Sequence, residues 1–180
     1  MKVFDNFLPQ EQFDELFNRL ISNKIDWHKS SVLGASKFLP DPIFNIQFCH
    51  RFIEISTEWV DGVQTKYELT KGKNYDIIEP ILDKISYKEL IRIKANITVG
   101  RETQKLSGYH IDVAETPRYE RGMTGIYYVN TNNGFTSFLD GTEVKSVANR
   151  FLMFPCHMKH SSVPCTDHRH RIVINFNWIP

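Results

Sequence analysis

The chain has 180 residues, 41% of them hydrophobic, enough apolar material for one well-packed domain and far from a disordered composition. Its 22 basic and 21 acidic residues leave a formal net charge of +1, which argues against a nucleic-acid binder or a polybasic membrane anchor. No apolar run reaches the roughly 18 residues of a membrane span, and the N-terminal MKVFDNFLPQEQFDEL has no long apolar stretch like that of a secretory signal. Three sparse cysteines, Cys49, Cys156 and Cys165, do not make a disulfide framework and point to a reducing compartment, the cytoplasm.

Composition shifts near residue 90. Before it, a short strand is expected at Lys2 to Phe4. Phe13, Leu16, Phe17, Leu20 and Ile21 then mark one face of a helix, with Pro9 and three acidic residues suited to its start. A second stripe, Phe44, Phe48, Phe52, Ile55 and Trp59, favours a helix, although Ile46 and Phe48 could open a strand. A third, Ile78, Ile81, Leu82 and Ile85, predicts a helix with Pro80 in its first turn. The polar segment Val63 to Asn74 reads as a loop. From residue 90 onward, short strands are expected near 90–99, 107–113, 123–130, 135–139, 142–147, 150–155, 158–164 and 169–178, with turns at Thr131–Gly134 and Asp140–Gly141. In the last strand Ile172, Ile174, Phe176 and Trp178 alternate with Val173, Asn175 and Asn177. Eight such strands suggest a sandwich or jelly roll, its outer face covered by the helices that precede it. Those helices either buttress the sheet or form a dimer face, so an oligomer is open.

The chemistry begins at Tyr109-His110-Ile111-Asp112. On a strand, His110 and Asp112 reach one point while Ile111 turns away, and an imidazole with a carboxylate suits a borderline metal such as Fe(II). Alone, the pair could equally be a surface hydrogen bond. Forty-eight residues after Asp112 stands His160, in PCHMKHSSVP, and eleven residues further Arg171 heads the final strand. If Ile172, Ile174 and Phe176 face the outer layer, Arg171 faces the interior; parity alone permits the opposite. An interior guanidinium is costly without an anion, and its planar fork suits a carboxylate. No local acidic residue is an obvious partner, so the anion would be a ligand.

This order of residues resembles the 2-oxoglutarate- and Fe(II)-dependent oxygenases, in particular the prolyl hydroxylase-like branch. Tyr109–Asp112 resembles the first two metal ligands, Thr124-Gly-Ile-Tyr-Tyr-Val-Asn130 a characteristic strand, and Phe154 to Asn177 the closing block. The resemblance implies a mainly β fold, a double-stranded β-helix (a cupin-like jelly roll) with N-terminal helices on one sheet. The resemblance covers about residues 90–178 and matches nothing in the first 90; the chain reads as one domain over 1–180, with 1–89 a helical support region and 90–180 the core. The resemblance implies Fe(II) on His110, Asp112 and His160, which are also the catalytic residues. The cosubstrates would be 2-oxoglutarate and O2, with ascorbate in support, and the reaction a hydroxylation of a prolyl or other protein side chain or of a small molecule. Arg171 matches the residue that pairs with the 5-carboxylate of 2-oxoglutarate, and Tyr128 a phenol that bonds the same group. Thr124, Asn175 and Asn96 are further cosubstrate candidates, and Arg121 a substrate contact at the rim. His157 competes with His160, but the position followed by Ser-Ser-Val-Pro fits the distal ligand. His28, His50, His168 and His170 stay outside the site. Many members carry Gly-Gly where this chain has Gly134 alone, and the nucleic-acid demethylase branch has an arginine where this chain has Asn177. Alternatives are a cupin-like metal-binding protein or zinc hydrolase on the same three residues, and a non-catalytic jelly-roll interaction domain.

Overall fold

The computed structural model describes residues 1–31, 46–60, 63–113 and 120–180, the side chains of 31 and 54–67 excepted. In chain order these form β1 (Lys2–Phe4), α1 (Gln10–Leu20), β2 (His28–Ser31), β3 (Ile46–Arg51), β4 (Ile53–Val60), β5 (Val63–Lys71), a 3-10 turn (Tyr75–Ile78) and α2 (Glu79–Leu82). There follow β6 (Glu89–Val99), β7 (Met123–Tyr128), β8 (Phe135–Phe138), β9 (Glu143–Lys145), β10 (Arg150–Pro155), β11 (His160–Val163) and β12 (His170–Ile179).

Two antiparallel sheets face one another. The major sheet has the order β1-β10-β7-β12-β6-β3-β2 and the minor sheet β11-β8-β9, while β4 and β5 form a separate hairpin. Strand alternation divides each major strand between two environments. Ile172, Ile174, Phe176 and Trp178 of β12 pack outward with Ile93 and Ala95 of β6, Tyr127 of β7 and Phe151 of β10. Leu16 and Leu20 of α1 and Ile78, Ile81 and Leu82 cover that outer face. The opposite face, with Ile126, Tyr128, Leu152, Phe154 and Val173, packs against Phe138 and Val144 of the minor sheet. The fold is mainly β, a jelly roll with its helices on one sheet, as the sequence implies.

Three expected elements differ. The second apolar stripe is not a helix: residues 46–51 and 53–60 are strands. A spacing of four residues, Phe48 to Phe52, is an even number and so fits a strand as well as a helical turn; Phe44 lies outside the described residues. The expected loop 63–74 is largely β5, paired with β4 along its length. Backbone pairing rather than an alternating apolar pattern identifies this hairpin. Finally, 107–113 is no strand: it contributes one isolated antiparallel bridge, His110 to His160. Gly108 takes a left-handed conformation, φ 97°, which breaks any ladder there. The N-terminal half therefore supplies strands of the major sheet as well as the helical cover.

Candidate active site

The bridge at His110 builds the site's centre. His110 N–H donates to the His160 carbonyl and His160 N–H to the His110 carbonyl, each at 3.0 Å, which fixes the two backbones side by side. The Nδ1 atom of His110 lies 3.1 Å from the Gly108 carbonyl, and that of His160 lies 3.2 Å from the Met158 carbonyl. Carbonyls only accept, so each Nδ1 carries a proton, and each ring turns toward Asp112 its Nε2, the atom that ligates a metal in the neutral ring. His110 Nε2 is 3.7 Å from Asp112 Oδ1, and His160 Nε2 is 3.8 Å from Asp112 Oδ2. The ligand atoms of the three side chains lie within 4.8 Å of one another. The sequence expected strand pleating to align His110 with Asp112. The structure aligns them through the bridge and the Gly108 turn instead.

Asp112 is held from the major sheet. Arg92 Nη2 lies 2.8 Å from its Oδ1, and Arg92 Nε donates to Asn177 Oδ1 at 3.0 Å. The Asn177 amide itself approaches Asp112 Oδ2 at 3.5 Å. Burial alone would push the Asp112 carboxyl up. The charge of Arg92, followed by the two imidazoles, outweighs burial and brings it down to about 2, so it is ionised at neutral pH. Burial lowers the pKa of His160, which keeps that imidazole neutral and able to ligate. Two imidazoles and one carboxylate in reach of a common point suit a divalent metal such as iron or zinc, and Asp112 Oδ1 has no hydrogen-bond donor of good geometry among the described residues to satisfy it.

Arg171 stands on the inner face of β12, only 2% exposed. Nε donates to Ser146 Oγ at 2.7 Å, Nη1 to Ser162 Oγ at 3.1 Å and Nη2 to Thr136 Oγ1 at 3.3 Å. Three of the five guanidinium N–H groups are thus used by neutral hydroxyls, and two remain for an anion. No described carboxylate pairs with it. The Tyr128 ring lies beneath it, 5.5 Å from guanidinium carbon to ring centroid. Tyr128 O–H donates to Thr136 Oγ1 at 2.8 Å. Thr136 Oγ1 therefore accepts twice, and its own proton is what it can offer a ligand.

One cavity joins these groups: His110, Asp112 and His160 at one end, Arg171 at the other, with Asn96 and Asn175 in its wall. The side-chain oxygens of Asn96 and Asn175 are buried without a partner among the described residues. Of the other expected residues, Tyr128 supports Arg171 from behind rather than lining the cavity, and Thr124 accepts a hydrogen bond from Asn177 at 3.0 Å. Arg121, His157, His28, His168 and His170 are exposed, away from the lining. His50 is buried against Phe52, its ring nitrogens 3.2 Å from the Asp26 carbonyl and 3.0 Å from the Lys73 carbonyl. Sequence reading missed Arg92, Lys94, Gln47, Thr98, Thr136 and Ser162, which also line the cavity. For Arg92 and Lys94 a signal existed: they share the parity of Asn96 in LIRIKANITV, charged residues on the inward row of an otherwise apolar strand.

No family model matches the sequence, and no curated protein matches it either. Solved structures do match. A viral collagen prolyl hydroxylase from Paramecium bursaria Chlorella virus-1, in complex with 2-oxoglutarate, superposes with a TM-score of 0.54 at 15% identity, covering 99% of this chain and 95% of that one. A prolyl hydroxylase from Trichoplax adhaerens, bound to a hypoxia inducible factor oxygen degradation domain peptide, gives 0.57 at 13% identity over 98% and 82%. An oxidoreductase of the 2-oxoglutarate–Fe(II) oxygenase family from Burkholderia pseudomallei gives 0.57 at 12% identity over 93% and 78%. The fold is that of the 2-oxoglutarate- and Fe(II)-dependent oxygenases. Within that oxygenase fold, the structures similar to this chain include prolyl hydroxylases.

Among the described residues no helix is long and apolar enough to cross a membrane. Cys49, Cys156 and Cys165 are buried and form no disulfide.

Proposed function

We propose that this chain is a single-domain 2-oxoglutarate- and Fe(II)-dependent oxygenase, acting as a hydroxylase. His110, Asp112 and His160 would hold the iron, which with 2-oxoglutarate and O2 would supply an oxidative decarboxylation coupled to C–H hydroxylation. The observation that carries this reading is Arg171: a guanidinium 2% exposed, with two N–H groups unspent, in the same cavity as the three ligand candidates. A zinc hydrolase on the same triad would have no use for it.

The chain's own residues have distinct tasks in this reading. Arg171 and the Thr136 hydroxyl bind the distal carboxylate of 2-oxoglutarate, while Ser146, Ser162 and Tyr128 fix the guanidinium in place. Arg92 and Asn177 orient Asp112, and the Gly108 and Met158 carbonyls orient the imidazoles.

The test is release of labelled carbon dioxide from 1-labelled 2-oxoglutarate with Fe(II) and ascorbate, which proceeds slowly in this class without a prime substrate. His110→Ala or Asp112→Ala should abolish release. Arg171→Ala should weaken 2-oxoglutarate binding at least tenfold with metal content unchanged. Unaltered affinity for 2-oxoglutarate in Arg171→Ala would remove the basis of the assignment.

A further inference from the structure

The inward row of β6 carries more positive charge than the proposed cosubstrate can use. Arg92 and Lys94 stand on adjacent inward positions of that strand, on one face of one cavity. Adjacent like charges on a buried sheet face repel, and burial adds a desolvation cost to each. The cavity lining contains three cations, Arg92, Lys94 and Arg171, against the single carboxylate of Asp112. A divalent metal adds two positive charges and the dicarboxylate cosubstrate removes two, so a surplus of two remains when both are bound.

Lys94 is the sharpest case. It is 9% exposed and lines the cavity, where the like charge of Arg92 acts on its ammonium group more strongly than the attraction of Asp112. Burial, then the like charge of Arg92, lowers its pKa from the ordinary lysine range. Its cationic form therefore gains from an anion brought in from outside. Arg171 is not a competitor for the same anion. Its hydroxyl partners Thr136 and Ser162 belong to the minor sheet, and its register partner Thr98 lies four residues from Lys94, about 13 Å along the strand. Directly across the β6–β12 ladder from Lys94 is Asn175. The side-chain oxygen of Asn175 is buried and without a donor among the described residues.

We infer that Lys94 and Arg92 bind the carboxylate of a small prime substrate, and that Asn175 accepts a hydrogen bond from an N–H or O–H group beside that carboxylate. Free amino acids and 2-hydroxy acids share this chemistry. The burial of Lys94 favours a small molecule over a protein side chain, because the anion must enter the cavity to reach it. This inference rests on the oxygenase reading above and names its substrate class.

The experiment uses the full chain loaded with Mn(II), a redox-stable stand-in for iron, and saturated with 2-oxoglutarate. Calorimetric titration is run with the twenty free L-amino acids in one arm and with L-lactate and L-malate in the other, each against its amide. At least one acid should bind, with its amide at least tenfold weaker; the arm that responds identifies the donor group. Lys94→Met should weaken that binding at least tenfold with 2-oxoglutarate affinity held within twofold, and Lys94→Glu should abolish it. Thermal midpoints near the wild-type value would establish that both variants fold. Arg92 is not the test position, because it pairs with Asp112. Absence of binding across both arms, an amide that binds as well as its acid, or an unaffected Lys94→Met would overturn the inference while leaving the oxygenase reading intact. Equal loss of 2-oxoglutarate affinity in Lys94→Met and Arg171→Ala would assign Lys94 to the cosubstrate and overturn it too. A wild-type protein that binds no 2-oxoglutarate would overturn the oxygenase reading first, and this one with it.

Discussion

Gly134 shows how narrowly Arg171 is seated. A Cβ there would lie 2.8 Å from Arg171 Cδ, 2.8 Å from Asn132 Oδ1 and 2.9 Å from the Val163 carbonyl. The single glycine, which from sequence alone looked like a departure from the Gly-Gly pattern, is thus the residue over which the arginine runs. Gly134→Ala should cost about 1–3 kcal/mol of stability by overpacking and should displace the guanidinium from its three hydroxyls. The expected result is a lower thermal midpoint together with at least a fivefold rise in the 2-oxoglutarate dissociation constant. A midpoint loss without any change in affinity would mean that the backbone yields and the arginine does not. His110, Asp112, His160 and Arg171 were legible in the sequence because their order and spacing together resemble one family's pattern, although the His-x-Asp pair alone is a weak signal. Thr136, Ser146 and Ser162 were not. Serine and threonine are common, and these three meet Arg171 from separate elements that only the folded topology brings together.

At the level of elements, strands that alternate strictly declared themselves. In β12 the odd and even residues have different chemistry: Ile172, Ile174, Phe176 and Trp178 went to the outer core, while Arg171, Val173 and Asn175 line the cavity. β3 was harder to read, because its inward face is polar and its outward Phe48 is 37% exposed, so neither face is uniformly apolar. The edge strand β1 raises another question, since its three residues are all exposed and apolar burial does little to hold it. Two polar clamps compensate. Buried Asn149 accepts from Leu8 N–H at 2.8 Å and donates to the Leu8 carbonyl at 2.8 Å. Arg150 of β10 grips Asp5 through Nε at 2.6 Å and Nη2 at 3.0 Å. The Arg150 hydrogen bond lowers the Asp5 pKa below the ordinary carboxylate value. A depressed carboxylate stabilises the fold above its unfolded pKa, about 3.9, and loses that contribution as pH falls through the folded value. Because the Asp5 side chain is 55% exposed, solvent screening limits the effect to at most about 1 kcal/mol. Urea denaturation should therefore show Asp5→Asn slightly less stable than wild type at pH 7, with the difference shrinking toward zero as the pH drops below about 3.9. A constant difference across that range would mean that the pair does not hold β1.

Over the whole molecule, the candidate site lies where the two sheets and the 107–113 segment meet. His160 belongs to the minor sheet, His110 is tied to it by a two-bond bridge, and Asp112 is held by Arg92 and Asn177 of the major sheet. That meeting was only partly legible in sequence. The motif spacing implied convergence, but the sheet order that produces it depends on pairings between strands as distant as β3 and β6, and β1 and β10. An ion shared by the three side chains would therefore cross-link the sheets, and its binding free energy would appear as folding stability. At a hundredfold excess over the dissociation constant, one site contributes about 2.7 kcal/mol. For a chain of this length, at about 2–4 °C per kcal/mol, the thermal midpoint should rise by about 5–10 °C. Scanning the chelator-treated protein with and without Mn(II) measures the shift. His160→Ala and Asp112→Ala should each remove nearly all of it. The metal-free baselines of the two variants should differ: Asp112→Ala leaves the half-buried Arg92 charge without its partner and should fall further than His160→Ala. A full Mn(II) shift surviving in either variant would place the ion elsewhere, and with it the chemistry assigned to this cavity.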